Sequence, residues 1–291
     1  MILLDPNFRP DGALVAELDG EQVGFLQAMV RRVPLGIQPT DPKQGWITVF
    51  FVAAEQRRRR IGRKLMDAGL SYLRESGCQV VTCNGYAPSY AFPGVDFDYA
   101  EALVFMRASG FEPLTEAIAM DLSLVGLEKP QPVIDRQIAL EAEGIYVRRF
   151  KACDTIGLLA LAEKYFPYWH QSVVDGLQQD RRNVFVAVRG EDVLGFAQWE
   201  NPHTDPPSGA PGRFGPFGIR PDLRSNGLGA ALFYSVIEQV DKRGADRLWF
   251  GWAGGRNLSF YERAGCQVTR RYQIFRRKWS ADFSPHRCPG F

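Results

Sequence analysis

Ile219-Arg220-Pro221-Asp222-Leu223-Arg224-Ser225-Asn226-Gly227-Leu228-Gly229 and Val52-Ala53-Ala54-Glu55-Gln56-Arg57-Arg58-Arg59-Arg60-Ile61-Gly62 are one pattern written twice. Each reads as the apolar end of a strand, a turn, and the opening of a helix. The register agrees, since 219 − 52, 224 − 57, 229 − 62 and 244 − 77 all equal 167, pairing Ile with Val, Arg with Arg and Gly with Gly twice. Outward from there, Val23-Gly24-Phe25-Leu26-Gln27 matches Leu194-Gly195-Phe196-Ala197-Gln198, and Phe105-Met106-Arg107-Ala108-Ser109-Gly110-Phe111 matches Phe260-Tyr261-Glu262-Arg263-Ala264-Gly265-Cys266. Matches that keep their order at several points mean an internal repeat whose copies differ in loop length.

A chain of 291 residues, 45% of them hydrophobic, can bury two cores, which agrees with the repeat. Its 35 basic and 33 acidic residues nearly cancel, so a dedicated nucleic-acid binder is not expected and any anion site must be local. Cys78, Cys83, Cys153, Cys266 and Cys288 are scattered and lack the close pairs of a metal or redox motif, so reduced thiols and no metal are expected. There is no basic-then-apolar leader and no apolar run near the roughly 20 residues of a membrane helix, so a cytoplasmic location without membrane attachment is the default.

The pattern predicts a mixed α/β order. In the first copy it gives a hairpin over 13–30 turning at Asp19-Gly20, a strand over 47–52, and a helix over 62–75 with Leu65, Met66, Gly69, Leu70 and Leu73 on one face. A strand over 80–83, a helix over 99–108 and the final strands within 112–124 follow. In the second copy it gives a strand over 146–150, helices over 156–165 and 171–177, a hairpin over 184–199, a strand over 216–219, a helix over 227–243, a strand over 247–252, a helix over 258–264 and strands over 267–279. The expected domains are 1–125, abbreviated and degenerate, and 145–281, complete, joined by a Pro130- and Pro132-containing linker over 126–144 and followed by a tail over 282–291. Since 195 − 24 = 171, the opening strand and helices of the first copy would precede residue 1, and only residues 1–10 stand in for them. Either that copy is naturally short or the start codon lies inside a longer reading frame; in both cases a sheet edge needs cover.

The glycines at 227 and 229 permit a tight turn and a close backbone approach, and the N–H groups opening the next helix make an anion pocket that fits a pyrophosphate. Phe217-Gly218-Ile219 ends the preceding strand, and its glycine suggests a splay where an extended ligand could pair with open backbone.

With the hairpin before this loop and Asn257, Phe260, Tyr261 and Gly265 after it, residues 146–279 resemble a GNAT-type N-acetyltransferase domain, and the first half resembles a shortened second one. The family's acyl-CoA loop pattern is met by Arg224, Gly227 and Gly229. The resemblance implies acetyl-CoA as co-substrate, held by Phe217, Gly218, Ile219, Arg224, Ser225, Asn226, Gly227, Leu228, Gly229, Ala230 and Asn257, with direct acetyl transfer to an amine-bearing acceptor, a small molecule by preference, although polyamine-like molecules, aminoglycosides, amino acids and protein termini all fit. It places Tyr261 where relatives carry the acid that protonates the departing thiolate; the alternative is an aromatic packing on its helix. Glu200 and His203 are candidate bases by position, as is His170 beside Phe166, Tyr168 and Trp169, and each also reads as an ordinary solvated or packing residue.

The first copy departs from the pattern at Arg60, in place of the first loop glycine, and at Met106, in place of Tyr261, whose thioether cannot donate a proton. Its longer connection, with Tyr90, Phe92, Asp96 and Asp98, reads equally as an acceptor loop or as cover for a shortened core. The run from Arg57 to Arg60 reads as a phosphate-type loop rather than a nucleic-acid patch. The rival to an enzyme is a non-catalytic acyl-CoA-binding or interaction module on the same fold. The shortened first copy leaves an oligomer open.

Overall fold

The structure is a computed structural model that describes residues 2–87, 92–200 and 212–279. Strands β1 (Ala13–Leu18), β2 (Glu21–Arg31), β3 (Asp41–Val52), β4 (Val80–Cys83), β5 (Val95–Asp96) and β6 (Glu112–Ser123), with helices α1 (Ile61–Glu75) and α2 (Ala100–Ala108), form the first half. The second half holds α3 (Gln131–Ala142), β7 (Ile145–Arg149), α4 (Thr155–Tyr165), α5 (His170–Asp180), β8 (Val184–Arg189) and β9 (Asp192–Glu200). It continues through β10 (Gly212–Ile219), α6 (Leu228–Lys242), β11 (Arg247–Ala253), α7 (Leu258–Arg263) and β12 (Gln267–Lys278).

Two compact units result, and the chain does not divide between them in sequence order. Unit 1 takes its described residues from 2–34, 39–117 and 271–279, unit 2 from 35–38 and 118–270. The unit 1 sheet runs β1-β2-β3-β4-β12, with β3 and β4 parallel and its fifth strand supplied by the far end of the chain, Phe275 opposite Cys83. In unit 2 the order is β6-β11-β10-β9-β8-β7, with β10 and β11 parallel and the β6 stretch 118–123 paired to β11, Leu122 opposite Leu248. The final strand of each repeat thus completes the sheet of the other unit, where the sequence reading kept each at home. Alternation fixes which face of a strand is buried but not which neighbour it joins, and two similar copies offer similar edges.

The helix over α1 buries Leu65, Met66, Gly69, Leu70 and Leu73, the face read from the sequence. Among the described residues of unit 1, two single-turn 3₁₀ segments, Ile2–Leu4 and Pro10–Gly12, precede β1. That edge strand is short and bulged at Ala16/Glu17, features that discourage further pairing. Unit 2 carries the opening strand β7 and helices α4 and α5, which have no counterpart among the described residues before β1.

Residues 126–144, read as a linker, contain α3. Pro132 lies in its first turn, where the missing N–H costs no hydrogen bond. Leu140 is buried in the unit 2 core, and α3 packs on α6 and β7.

The repeated loop keeps its backbone in both units. Arg58 and Ser225 both have φ 64°, and the residues capping the next helix, Arg60 and Gly227, have φ 63° and 85°. An L-residue held left-handed costs roughly 1–2 kcal/mol, part of which glycine returns through its unfolded-state entropy. Arg60→Gly is therefore expected to stabilise unit 1 by about 0.5–1 kcal/mol, read as a higher denaturant midpoint. Gly227→Ala is expected to destabilise, because its Cβ would also lie 2.5 Å from Arg136 Cγ.

Candidate functional site

The centre of unit 2 is a gap between two parallel strands. Pairing of β10 with β11 covers Gly212↔Leu248 and Arg213↔Trp249. The other edge of β10 stays on β9 as far as Ile219↔Gly195. From Phe214 to Ile219, backbone groups on the β11 side of β10 therefore face an opening. A bulge between Phe214 and Phe217 lies at the point of divergence, with a cis Gly215–Pro216 bond inside it. Gly218 is the residue the close packing requires, since a Cβ there would sit 2.8 Å from the Phe166 ring.

The loop after β10 bends under the opening. Arg224 donates from Nε to the Ile219 carbonyl at 3.2 Å, which straps the turn closed. Arg57 makes the same 3.2 Å bond to Val52 in unit 1. Asn226 Oδ1 accepts from Leu228 N–H at 3.1 Å, and the Leu228 side chain is buried, so this residue offers a ligand neither group. Ser225 is exposed, and the Gly229 and Ala230 N–H groups in the first turn of α6 have no intrahelical partners. Asn257, before α7, is exposed.

Arg136 was not legible as a site residue. From α3 it donates to the Asn226 carbonyl at 2.6 Å and pairs with Glu143 at 2.8 Å, which brings a cation to the loop. The proline-opened helix start at Pro130–Pro132 was the signal that could have found α3, though nothing in the sequence aims this side chain.

Tyr261 is buried in an aromatic cluster, with ring centroids 4.5 Å from Phe250, 5.1 Å from Phe260 and 5.8 Å from Phe233. Burial pushes its phenol well above the ordinary range, and the Cys266 thiol adds to this, so the hydroxyl keeps its proton at neutral pH. Phe217 stacks on Phe260 at 5.9 Å, and the matching pair in unit 1, Phe50 and Phe105, stacks at 5.3 Å. At the position of Tyr261, unit 1 has the buried Met106.

Glu200 ends β9 in an ion pair with Arg213, its cross-strand neighbour, at 2.8 Å. It lies three residues beyond Ala197, the partner of Phe217, or about 10 Å along the strand. His203 falls outside the described residues. His170 opens α5 with its Nδ1 buried and without a hydrogen-bond partner.

A turn of the first repeat packs in unit 2 beside the segment that joins α4 to α5. The turn at Leu35–Gln38 belongs to unit 2, where Gln38 Nε2 donates to the Pro167 carbonyl at 2.7 Å. Pro167 follows Phe166, whose ring stacks on Trp169 at 5.4 Å and meets Phe196 edge-on at 5.5 Å.

In unit 2 a parallel-strand gap thus opens over a glycine turn at a helix start. The acetyltransferase (GNAT) family matches residues 3–92 and 152–266, more than half of the chain, and the protein belongs to that family. No curated protein matches it by sequence. Among solved structures it is similar to the GCN5-related glucosamine N-acetyltransferase region of a fungal multi-domain GH3 β-N-acetylglucosaminidase, at TM-score 0.76 and 21% identity over 88% of this chain. The chain spans 32% of that larger protein. A GCN5-related N-acetyltransferase from Sphaerobacter thermophilus matches at TM-score 0.68 and 19% identity, covering 94% of this chain and 82% of that one. A tandem GNAT protein of the clavulanic acid biosynthesis pathway matches at TM-score 0.62 and 17% identity, covering 93% and 85%. The chain is a tandem GNAT protein in fold. Among the described residues no cluster of His, Cys, Asp or Glu is placed to hold a metal, and no helix is long and apolar enough to cross a membrane.

The Arg136–Glu143 pair is part-exposed, so the charge there is worth the modest amount typical of such a pair. Arg136→Ala is expected to weaken acetyl-CoA binding about threefold and to flatten its salt dependence, measured by titration at low and high salt.

Proposed function

We propose that the protein is an acetyl-CoA-dependent N-acetyltransferase acting on a small amine, with its chemistry in unit 2. The observation that carries this reading is the opening of β10 from β11 directly above the Arg224–Gly229 turn. The fit is a backbone one. Open strand groups at Phe217–Ile219 suit an extended pantetheine arm, and the first turn of α6 with Arg136 nearby suits a pyrophosphate.

Acetyl-CoA would supply the activated acetyl thioester. A backbone N–H of Phe217–Ile219 would donate to the carbonyl oxygen as charge develops there. Tyr261, protonated and screened from water, would give its proton to the departing sulfur. Loss of a proton from the ammonium acceptor frees the lone pair; the C–N bond forms, the C–S bond breaks, and amide, thiol and one proton result. Glu200, held by Arg213 at 2.8 Å, and His203 remain the proposed bases.

Unit 1 keeps the loop backbone but has Met106 in place of the tyrosine, which supports a non-catalytic role for it. The test is release of free thiol from acetyl-CoA with a panel of primary amines. Release that depends on an amine supports the reading. Saturable binding without release from any amine favours an acyl-CoA-binding module.

A further inference from the structure

A row of side chains crosses the unit 2 sheet beside the gap. Glu200 on β9 lies opposite Arg213 on β10, Arg213 opposite Trp249 on β11, and Trp249 opposite Asp121 on β6. Directly opposed residues share a face. That face is the one of α4 and α5, because Phe196 and Gln198, in step with Glu200 along β9, meet Phe166 and the Ser172 carbonyl. The other face is closed by α6 and the aromatic cluster around Tyr261.

The row has a distinctive chemistry. Trp249 is 38% exposed, large for an indole in mid-sheet. Ion pairs flank it, Glu200 with Arg213 at 2.8 Å and Asp121 with Arg247 at 3.2 Å. Asp121 Oδ1 is buried and has no hydrogen-bond partner. Charge balances across the row and the neighbouring Arg247, with two carboxylates and two guanidiniums. A polycation would meet both guanidiniums, whereas hydroxyl groups both donate and accept and can bond to either member of each pair. A flat apolar platform with such groups on two sides suits a polyhydroxylated ring, whose C–H face lies on the indole.

Resting on the transferase reading above, we propose that Trp249, with Arg213, Glu200, Asp121 and Arg247 around it, binds the acceptor, and that the acceptor is a hexosamine: a hydroxylated ring with a single amine. The row is about 10 Å, three strand steps, from the level of Phe217. A pyranose lying on Trp249 with its amine on the Phe217 side would reach toward the gap. Asp121 comes from the first repeat, so the strand exchange supplies part of the acceptor site.

The test is calorimetric titration of D-glucosamine, and separately of spermidine, into the full chain with CoA present. D-glucosamine is expected to bind saturably and spermidine at least tenfold more weakly. Trp249→Leu and Arg213→Gln, both on partly exposed side chains, should each weaken D-glucosamine at least tenfold and leave CoA affinity within twofold. No saturable D-glucosamine binding, tighter spermidine binding, or D-glucosamine binding that survives both substitutions would overturn the proposal. D-glucosamine binding without thiol release would leave this site standing and remove the transferase reading instead.

Discussion

Gly229→Trp is expected to abolish acetyl-CoA binding, while Gly62→Trp leaves it intact. Gly229 is the second residue of α6 and faces the strand gap. A Cβ there would lie 3.5 Å from Phe217 Cζ and 3.7 Å from Ile219 Cγ1, ordinary contact distances. Gly229→Ala should therefore fold and bind, whereas an indole must occupy the space between the helix start and β10 that the pantetheine arm needs. The loss should exceed about 100-fold, since roughly 2.7 kcal/mol of backbone and anion contacts is at stake. At the matching position in unit 1, a Cβ at Gly62 would meet Phe50 at 3.4 Å. A bulky residue there disturbs the Phe50–Phe105 stack in a unit that the account does not charge with binding. Dissociation constants for the three variants and the parent separate the outcomes. Loss with Gly62→Trp and retention with Gly229→Trp would move the site to unit 1.

Tyr261→Phe is expected to lower kcat by about 100-fold, the lower end of the range for a positioned acid, with acetyl-CoA affinity unchanged. The ring contacts to Phe250, Phe260 and Phe233 survive this substitution, so stability should change little. Since burial raises the phenol above its ordinary range, the tyrosine should also impose no loss of rate up to mildly alkaline pH. Steady-state kinetics across pH on parent and variant test both points. An unchanged kcat would assign Tyr261 to core packing, the other reading its sequence position allowed.

Much of this was legible because the repeat carries physical constraints as well as residue names. The offset of 167 that pairs Arg57 with Arg224 reappears as the same Nε-to-carbonyl bond, and the one that pairs Phe50 with Phe217 reappears as two stacked pairs. Local rules reached the buried face of α1 and the glycine turn, because both depend on neighbours within a helical turn or two. They did not reach the exchange of β6 and β12, since strand partners are set by edges remote in sequence. Two prolines hid α3 by reading as breakers, although the first turn is where a helix tolerates them. The glycine turn and the end of β10 were legible as one strand-turn-helix unit. Gln38, Asp121 and Arg136 come into unit 2 from segments assigned elsewhere, and no spacing rule links them to Phe217.

The most direct test of the central claim is the stoichiometry of acetyl-CoA binding, measured by calorimetric titration of the full chain. The account predicts one saturable site per chain, absent from the Gly229→Trp variant. No binding, or a site that persists in that variant, would contradict it.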